Sequence, residues 1–571
     1  MSEGGAMTST DENDFGATTV VTGTAVVDGL AYGPVIRPGD RPDFDVAGAA
    51  DVPEDQRDAE KERVDAASAT VAGRLSDRAS KSTGASAEVL AATSSLAKDR
   101  GWTRAAKKLI DGGTPAPAAV AGAIDQFADQ FRQAGGLFAE RVTDLYDVRD
   151  RVMSELLGLP EPGIPNPDVP SIVCADDLAP ADTAGLDPAV VIALATRLGG
   201  PTSHTAIIAR QLGIPCVVAV ADLDRIATGV PAFVDGTRGV VGAEPDPEKI
   251  AGAVDDARRQ AQAAADWRGP GRTADGHPVL ILANVADGAS ARTAAEPGIL
   301  EGVGLFRTEL AFLDRPDEPS VEEQTTLYRE VIDAFSGQKV VIRTLDAGSD
   351  KPLKFVTHPD EANPAMGVRG NRIALDHPEI REHQLDALQA AAQGAEAVPW
   401  VMAPMIATVD EAAEFAAMVR ARGLVPGVMV EVPSAAVNAS AILDQVDFVS
   451  IGTNDLTQYT MAADRMSPEL AALTDPWQPA VLALIERVGA AGADQNKQVG
   501  VCGEAAADPN LACVLVGLGV TSLSAAPKAA PAVGLKLSTV TLDQCTQAAA
   551  AALAATSPAA ARDAARAVLG G

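Results

Sequence analysis

A histidine stands where a glycine-rich loop meets a short helix pattern. Residues 199–204 read GGPTSH, and the helix pattern stops at Gly213. Thr202 or Ser203 can cap this helix, which places His204 in the first turn, where free backbone N–H groups and the positive dipole end favour an anion. An unprotonated imidazole nitrogen at that position can carry a phosphoryl group. The pattern predicts a phosphohistidine loop; the alternative is a capping or buried histidine without a chemical role.

A second set of reactive side chains follows apolar runs in the C-terminal half. Two arginines, two carboxylates, an amide and a thiol lie at or just after the ends of these runs: Arg307, Arg343, Glu431, Asn454, Asp455 and Cys502. Arginine forks bind carboxylate and phosphate in a bidentate manner. Two carboxylates with an open face suit Mg²⁺, which keeps waters and binds substrate oxygens. Each residue alone is typical of a salt bridge, a cap or, for Cys502, a small buried apolar group. Together they indicate a site for a small anion.

The apolar runs recur with a spacing that predicts a (β/α)8 barrel over residues 271–571. The predicted strands are Val279–Asn284, Gly302–Phe306, Val340–Ile342, Trp400–Ala403, Val428–Val430, Phe448–Ile451, Val499–Val501 and Leu523–Ala525. Helix patterns separate them, including Ser320–Phe335, Pro378–Gln393, Thr408–Arg422 and Trp477–Ala491. The carboxyl ends of barrel strands converge on one face, so we expect the second set of side chains to share one site.

The first half predicts an α/β domain interrupted by helices. β-branched runs at 18–27 and 31–36, broken at Asp28-Gly29, predict a small hairpin. Further strands are predicted at Ser171–Val173, Val190–Ala193, Cys216–Val220 and Ala232–Val234. Helical spacing of apolar residues is seen in Glu54–Arg78, Ala87–Leu96, Trp102–Ile110, Ala118–Gln133 and Phe138–Leu157.

These patterns predict how the chain is divided into domains. We expect residues 18–45 and 165–245 to form one α/β domain, with residues 50–160 inserted as a helical unit. Residues 248–270 predict a linker helix before the barrel. Residues 1–17 are polar and predict a disordered tail.

The composition limits the classes of partner. The chain has 46 basic and 78 acidic residues, a net charge of −32, which argues against nucleic acid or an anionic membrane. The odd number of cysteines and their scattered positions argue against a disulfide framework or a thiolate metal site. No leader pattern opens the chain and no apolar run is long enough to span a bilayer, so we expect a cytoplasmic protein.

Two groups of motifs resemble known enzymes. Residues 199–210, GGPTSHTAIIAR, resemble the phosphohistidine signature shared by enzyme I of the bacterial phosphotransferase system, pyruvate phosphate dikinase and phosphoenolpyruvate synthase. Pro201 stands where many enzymes I have arginine. In the second half, six motifs resemble the barrel of enzyme I: GLFRTE at 304–309, RTLD at 343–346, EVP at 431–433, IGTNDLTQY at 451–459, Asp464-Arg465 and CGE at 502–504. The resemblance to the enzyme I family covers nearly the whole chain after the N-terminal tail.

The resemblance implies a role for each matching residue. His204 would take the phosphoryl group of phosphoenolpyruvate, and Thr183 would orient its imidazole. Cys502 would protonate C3 of the enolate. Glu431 and Asp455 would bind Mg²⁺. The residues implied for substrate binding are Arg307, Arg343, Asn454, Asp455 and Arg465, with Lys351 and Arg369 as further candidates at the rim.

The resemblance also implies partners. The helical unit is similar to the part of enzyme I that docks the small phosphocarrier protein HPr, and residues 140–148 match its last helix in outline. Tyr146 stands where the family usually has arginine. A homodimer through the barrel is implied as well. The expected reaction is a relay from phosphoenolpyruvate to His204 and then to HPr, with release of pyruvate, as the first step of sugar uptake by the phosphotransferase system. A hinge near residues 248–267 would allow the movement.

Other functions stay open on the sequence. A phosphoenolpyruvate synthase or dikinase shares both motif groups but needs an ATP-binding domain, and no glycine-rich nucleotide segment of adequate length precedes the loop. A non-catalytic HPr-binding regulator would be expected to lack Cys502, Glu431 or Asp455, which are all present. A nitrogen-regulatory paralogue is disfavoured because only a short tail precedes the first predicted strand.

Overall fold

The structure is a computed structural model. It describes residues 14–39, 42, 51–81, 85–134, 142–165, 167–178, 180–183, 186–200, 203–313, 315–348, 353–356, 361–465, 467, 470 and 472–570. Most of the predicted N-terminal tail lies outside these residues. The chain divides into two compact units, Met1–Arg259 and Gln260–Gly571.

An eight-stranded mixed sheet forms the centre of the first unit. Its strands are β1 (Thr19–Thr22), β2 (Thr24–Val27), β3 (Leu30–Ile36), β4 (Ser171–Ala175), β5 (Val191–Thr196), β6 (Cys216–Val218), β7 (Pro231–Asp235) and β8 (Val240–Ala243). They lie in the order β1-β8-β7-β3-β4-β5-β6-β2. The pairs β3–β4, β4–β5 and β5–β6 are parallel, and the other neighbours are antiparallel. Strands from both predicted parts of the α/β domain therefore share one sheet.

The predicted N-terminal hairpin is wrong. The first β-branched run divides at Gly23 into β1 and β2, and these strands pair with β8 and β6 at opposite edges of the sheet. The second run, β3, pairs with β7 and β4 in the centre. The turn at Asp28-Gly29 therefore carries the chain from an edge to the centre instead of joining two neighbours. Each of the three strands instead pairs with strands far along the chain, and only β3 has a neighbour on both sides.

Helices follow β3 in the first unit. They are α1 (Arg57–Lys81), α2 (Ala85–Ala97), α3 (Arg100–Asp111), α4 (Ala116–Ala134), α5 (Val142–Leu157), α6 (Pro180–Thr183), α7 (His204–Leu212) and α8 (Pro247–Asp266), whose residues 260–266 belong to the second unit. The first five form a helical bundle with its own apolar core, in which Trp102 is fully buried and donates from Nε1 to Leu96 O at 2.9 Å. Residues 138–141, at the predicted start of α5, lie outside the described residues. Among the described residues, no helix combines the length and apolar composition that crossing a bilayer requires.

The second unit contains a closed barrel of eight parallel strands, as predicted. The strands are β9 (Leu280–Val285), β10 (Gly302–Arg307), β11 (Lys339–Arg343), β12 (Trp400–Ala403), β13 (Val425–Val430), β14 (Phe448–Ile451), β15 (Gln498–Val501) and β16 (Ser522–Ala525). Each contains or overlaps a predicted strand. The ring closes where β16 pairs in parallel with β9.

Helices surround this barrel. They are α9 (Gly288–Ala295), α10 (Val321–Ala334), α11 (Pro378–Ala392), α12 (Val409–Ala421), α13 (Pro433–Val437), α14 (Ala439–Leu443), α15 (Thr453–Met461), α16 (Pro479–Gln495), α17 (Pro509–Gly517), α18 (Ala530–Ser538), α19 (Leu542–Leu553) and α20 (Pro558–Leu569). The outward faces of the strands and the inward faces of these helices form one large apolar core.

Side chains fill the interior of the barrel. Leu305, Met402 and Met429 form a small buried cluster with Phe448, and a Cβ on Gly427 would lie 2.2 Å from the Phe448 ring. At the amino ends of the strands, Lys339 Nζ donates to Gln498 Oε1 at 2.6 Å. The interior of the barrel is thus a packed core. Polar side chains that can bind a ligand are therefore expected at the carboxyl ends of the strands.

Replacing Gly427 by alanine tests this packing. The added methyl group would overlap the Phe448 ring, so we expect Gly427→Ala to lower the free energy of unfolding of the barrel by about 2 kcal/mol. Gly252→Ala is the matched control, because Gly252 lies in α8, where a Cβ would have no contact within 4 Å beyond the backbone of its own helix, and alanine there favours the helix. Calorimetry of both full-length variants would measure the difference. Equal midpoints for wild type and Gly427→Ala would contradict the close contact.

Candidate active site

The glycine-rich loop leads into a capped helix in the first unit. Helix α7 begins at His204, and the Ser203 side chain accepts a hydrogen bond from Ala206 N at 3.3 Å. The helix ends at Gly213, which has a left-handed φ of 71°. The predictions that Ser203 can cap this helix and that His204 lies in its first turn are confirmed. The side chain of His204, together with Pro201 and Thr202, lies outside what the structure describes.

Thr183 lies in the same unit, at the end of the short helix α6. It is buried, and α6 contacts α7. Its role as the group that orients His204 stays a prediction.

A chain of buried ion pairs crosses the mouth of the barrel. Arg343 Nη2 lies 2.6 Å from Glu309 Oε1, and its Nη1 lies 3.1 Å from Asp346 Oδ2. Arg369 Nη2 lies 3.0 Å from Asp346 Oδ1, and its Nη1 lies 3.3 Å from Asp455 Oδ1. The side chains of all five residues are at most 8% exposed. Two guanidinium groups are therefore held side by side by one central carboxylate, that of Asp346.

The local sequence explains this arrangement. Arg343 is the last residue of β11, and the turn that follows brings Asp346 back to it three residues later. Gly348 lies against Arg369, since a Cβ there would meet the Arg369 Cβ at 2.5 Å. A glycine at this position lets the second arginine approach the strand end closely.

Glu431 follows β13 and has one open oxygen. Its Oε1 accepts from Met405 N at 2.6 Å, whereas its buried Oε2 has no hydrogen-bond partner among the described residues. Burial, reinforced by the negative charges of Asp346 and Asp455, raises the pKa of Glu431 to about 8. A buried carboxylate oxygen without a donor is costly unless a cation binds it. Glu431 is therefore suited to hold a metal ion.

Asp455 and Asn454 lie in the first turn of α15. Besides its contact with Arg369, Asp455 has Arg465 Nη1 at 3.8 Å from Oδ2. Asn454 Oδ1 accepts from Glu504 N at 3.0 Å, which ties α15 to the end of β15. A Cβ on Gly452 would lie 3.0 Å from Glu431 Oε2, so this glycine leaves room between the two strand ends.

Cys502 follows β15 and lies inside the barrel mouth. The thiol is buried, and Sγ lies 3.6 Å from Ile451 O, to which it donates. Burial raises the pKa of the Cys502 thiol above its ordinary value. The group is therefore protonated at neutral pH, as a proton donor must be.

The structure brings most of the predicted barrel residues together. Arg343, Glu431, Asn454, Asp455, Arg465 and Cys502 share the carboxyl ends of the strands or the loops that follow them. Arg307 also ends a strand but is exposed and has no ion-pair partner among the described residues. Lys351 lies outside the described residues.

In the structure, the carboxylates of Asp346 and Glu309 and the guanidinium group of Arg369 have a larger part in the site than the sequence indicates. On the sequence, Asp346 and Glu309 are only members of their motifs, and Arg369 is only a rim candidate. The signal available is spacing, since Asp346 lies three residues after Arg343 and Glu309 two after Arg307. Nothing in the sequence shows that one carboxylate serves both Arg343 and Arg369.

Three family models match successive parts of the chain. Residues 260–542 match the family described as PEP-utilising enzyme, PEP-binding domain; residues 167–239 match its mobile domain and residues 22–141 its N-terminal domain. A barrel whose mouth gathers arginines and carboxylates, in a chain with these three matches, defines a phosphoenolpyruvate-utilising enzyme.

Curated relatives narrow the class further. The chain is 46% identical to the phosphoenolpyruvate-protein phosphotransferase of Streptomyces coelicolor, over 97% of this chain and 100% of that protein. It is 40% identical to the protein of the same name from Haloferax volcanii, over 74% of this chain and 77% of that one. It is 42% identical to the multiphosphoryl transfer protein of Rhodobacter capsulatus, over 70% of this chain and 50% of that one. The chain belongs to the phosphoenolpyruvate-protein phosphotransferase family.

Neutralising Asp346 tests the central position of this carboxylate. Asp346→Asn keeps the shape of the side chain but leaves two buried guanidinium groups facing an amide, so we expect a loss of about 3 kcal/mol in the free energy of unfolding. The matched control is Asp447→Asn, because Asp447 pairs with Arg420 at 3.1 Å on the surface, where such a pair contributes under about 1 kcal/mol. Denaturant unfolding followed by circular dichroism would compare the two. A similar loss for both variants would mean that Asp346 is not the central partner.

Proposed function

We propose that this chain transfers the phosphoryl group of phosphoenolpyruvate to its own His204, releasing pyruvate, and then to the phosphocarrier protein HPr. This is the first step of the sugar phosphotransferase system. The observation that carries the proposal is the pair of buried guanidinium groups held by Asp346 beside the open oxygen of Glu431. The start of a capped helix at His204 supports the acceptor end of the reaction.

The arginines supply donors for the two acidic ends of phosphoenolpyruvate. Arg343 Nε is buried and has no hydrogen-bond partner among the described residues, although both Nη atoms of Arg343 are paired. Arg307 is exposed at the same mouth, and Arg465 is 30% exposed beside Asp455. Guanidinium groups of this kind bind phosphate and carboxylate oxygens together. Asn454 adds an amide at the same position.

Glu431 and Asp455 would hold Mg²⁺ in this proposal. The unpartnered Oε2 of Glu431 fits a cation, and the negative charge of Asp455 acts on the same carboxyl group. Two carboxylates suit Mg²⁺ because this ion binds through one or two carboxylates together with waters and substrate oxygens. When bound, the ion neutralises charge on the phosphoryl oxygens.

The residues of the chain account for the bonds and protons of the first step. His204 Nε2 attacks phosphorus in line, the N–P bond forms, and the bond from phosphorus to the enol oxygen breaks. Arg307, Arg343 and Arg465 balance the charge that spreads over the phosphoryl oxygens and the departing enolate. The Cys502 thiol then donates its proton to C3 of the enolate, which gives pyruvate, and the thiolate regains a proton from water.

The second step requires partners and movement. The helical bundle, within residues 50–160, docks HPr in this proposal, while residues 18–45 and 165–245 form the phosphohistidine domain and residues 271–571 bind phosphoenolpyruvate. A hinge within residues 248–270 lets His204 alternate between the two positions. Thr183 orients its imidazole. The enzyme acts in the cytoplasm as a homodimer joined through the barrels.

Labelling with phosphoenolpyruvate carrying ³²P tests the acceptor. We expect the wild-type protein to become labelled in Mg²⁺ but not in excess chelator, because the open oxygen of Glu431 needs its cation. His204→Ala should lose the label completely. His377→Ala is the matched control, since the side chain of His377 is half-buried and pairs with Glu379, and it should label normally. Label on the His204→Ala protein would overturn the assignment.

The proton donor can be tested by the stereochemistry of pyruvate. In D₂O with phosphoenolpyruvate that carries one tritium at C3, the wild-type enzyme should add deuterium to one face of the double bond. Cys502→Ala should lose this facial selectivity and turn over at least about a hundredfold more slowly, a fall within the range usual for loss of a general acid. Cys513→Ala removes a buried thiol from α17 instead, and should keep both properties. Unchanged selectivity in Cys502→Ala would exclude the thiol as donor.

Incubation of the labelled enzyme with purified HPr completes the test. We expect the label to move from the enzyme to HPr and the enzyme to return to its unlabelled form. If no label moved to HPr, and if the enzyme formed phosphoenolpyruvate from ATP and pyruvate, it would instead be a synthase.

A further inference from the structure

Basic side chains line a groove on the helical bundle, in a chain whose overall charge is strongly negative. The groove has a volume of about 410 Å³ and lies between α1 and α3. Its basic lining residues are Lys98, Arg100, Arg104 and Lys107. Residues 98–108 hold five basic residues and one acidic residue, whereas the whole chain carries a net charge of −32. The local charge of this segment is therefore opposite in sign to the net charge of the protein.

Most of these cations have no partner. Lys107 Nζ pairs with Asp65 at 2.7 Å across the groove. Among the residues that the structure describes, no carboxylate lies within ion-pair distance of Lys98, Arg100 or Arg104. Cations elsewhere in the bundle behave differently: Lys61, Arg74 and Arg149 each pair with at least one carboxylate.

The helix pattern explains why the cations share one face. Helix α3 buries Trp102, Ala106 and Ile110, which are spaced four residues apart. Arg100 and Arg104 have the same spacing on the other side, so packing of the apolar face turns them toward the groove. The core of the bundle therefore fixes where these charges lie.

The uncharged donors of the groove are already used. The Ser68 hydroxyl donates to Ala97 O at 2.5 Å, and the Thr103 hydroxyl donates to Asp99 O at 2.9 Å. The side-chain donors that remain for a ligand are those of the charged groups. A neutral molecule such as a free sugar would find no hydroxyl donor here, whereas an anion would find guanidinium and ammonium groups.

We propose that this groove binds a small phosphorylated molecule with at least two negative charges, at a site separate from the barrel. Its volume is in the range of small-molecule sites. Three unpaired cations match a ligand with several anionic oxygens better than a monoanion. Asp65 and the overall negative charge disfavour weakly charged anions, which favours a ligand that carries phosphate groups. The concave shape favours a small molecule over the convex surface of an acidic protein.

Binding of inorganic pyrophosphate to the full-length protein tests the proposal. Titration calorimetry in excess chelator and without phosphoenolpyruvate, which is itself a molecule of the proposed class, should show a saturable site whose affinity falls as salt is raised. The double variant Arg100→Gln/Arg104→Gln should bind pyrophosphate at least tenfold more weakly. The control Arg225→Gln/Arg259→Gln removes two exposed arginines of the same unit and should bind as the wild type does.

Backbone amide signals give a second readout. Gly101 N and Thr103 N lie in the first turn of α3, so their NMR resonances should shift with pyrophosphate in the wild type and not in the double variant. Normal circular dichroism and normal labelling by phosphoenolpyruvate would show that the double variant is folded. Absence of a saturable site, or equal pyrophosphate binding by wild type and double variant, would overturn the proposal. Normal pyrophosphate binding by the double variant, together with weakened phosphoryl transfer from this variant to HPr, would also overturn the proposal. That result would identify the groove as a protein-docking surface.

Discussion

The barrel site depends on one buried carboxylate, that of Asp346. It lies 3.1 Å from Arg343 and 3.0 Å from Arg369, and it is not exposed to solvent. Two guanidinium groups repel each other, and in a buried place they need a shared anion to lie side by side. Their outer nitrogens then pair with Glu309 and Asp455. The result is a row of alternating charges that holds donors in place before a substrate arrives, which is what electrostatic catalysis requires.

The same row leaves Glu431 with an uncompensated oxygen. Its neighbours include Asp346 and Asp455, and burial together with these two charges raises its pKa to about 8. The chain has thus placed more negative charge at this point than its own arginines neutralise. A cation and an anionic substrate would together balance the charge of the site. We therefore expect that neither the metal nor the substrate alone gives the side chains their final arrangement. Packing of the barrel interior below, by Phe448 and Met429, supplies the rigid base for this balance.

Charge is also organised at a larger scale. The chain carries a net charge of −32, yet positive side chains gather in the barrel mouth and in the groove of the helical bundle. In the mouth Arg343 and Arg369 are buried and paired, whereas in the groove Arg100 and Arg104 are exposed and lack partners among the described residues. Paired, buried arginines are preorganised for one substrate. Unpaired, exposed cations instead remain available to a ligand that brings its own charges.

Local sequence patterns determined the elements of this protein, and tertiary structure decided how those elements pair. The eight barrel strands, the cap at Ser203 and the stop at Gly213 could be predicted because helix caps, strand runs and glycine turns act within a few residues of chain. The hairpin predicted at Asp28-Gly29 was wrong, because strand pairing is settled by which faces must be covered and β1 finds its partner more than two hundred residues away. The barrel site shows the same difference between what local sequence determines and what tertiary structure decides. Strand ends placed Arg343, Glu431 and Cys502 at one mouth, but the shared carboxylate of Asp346 and the open oxygen of Glu431 exist only after loops distant in sequence have closed around them.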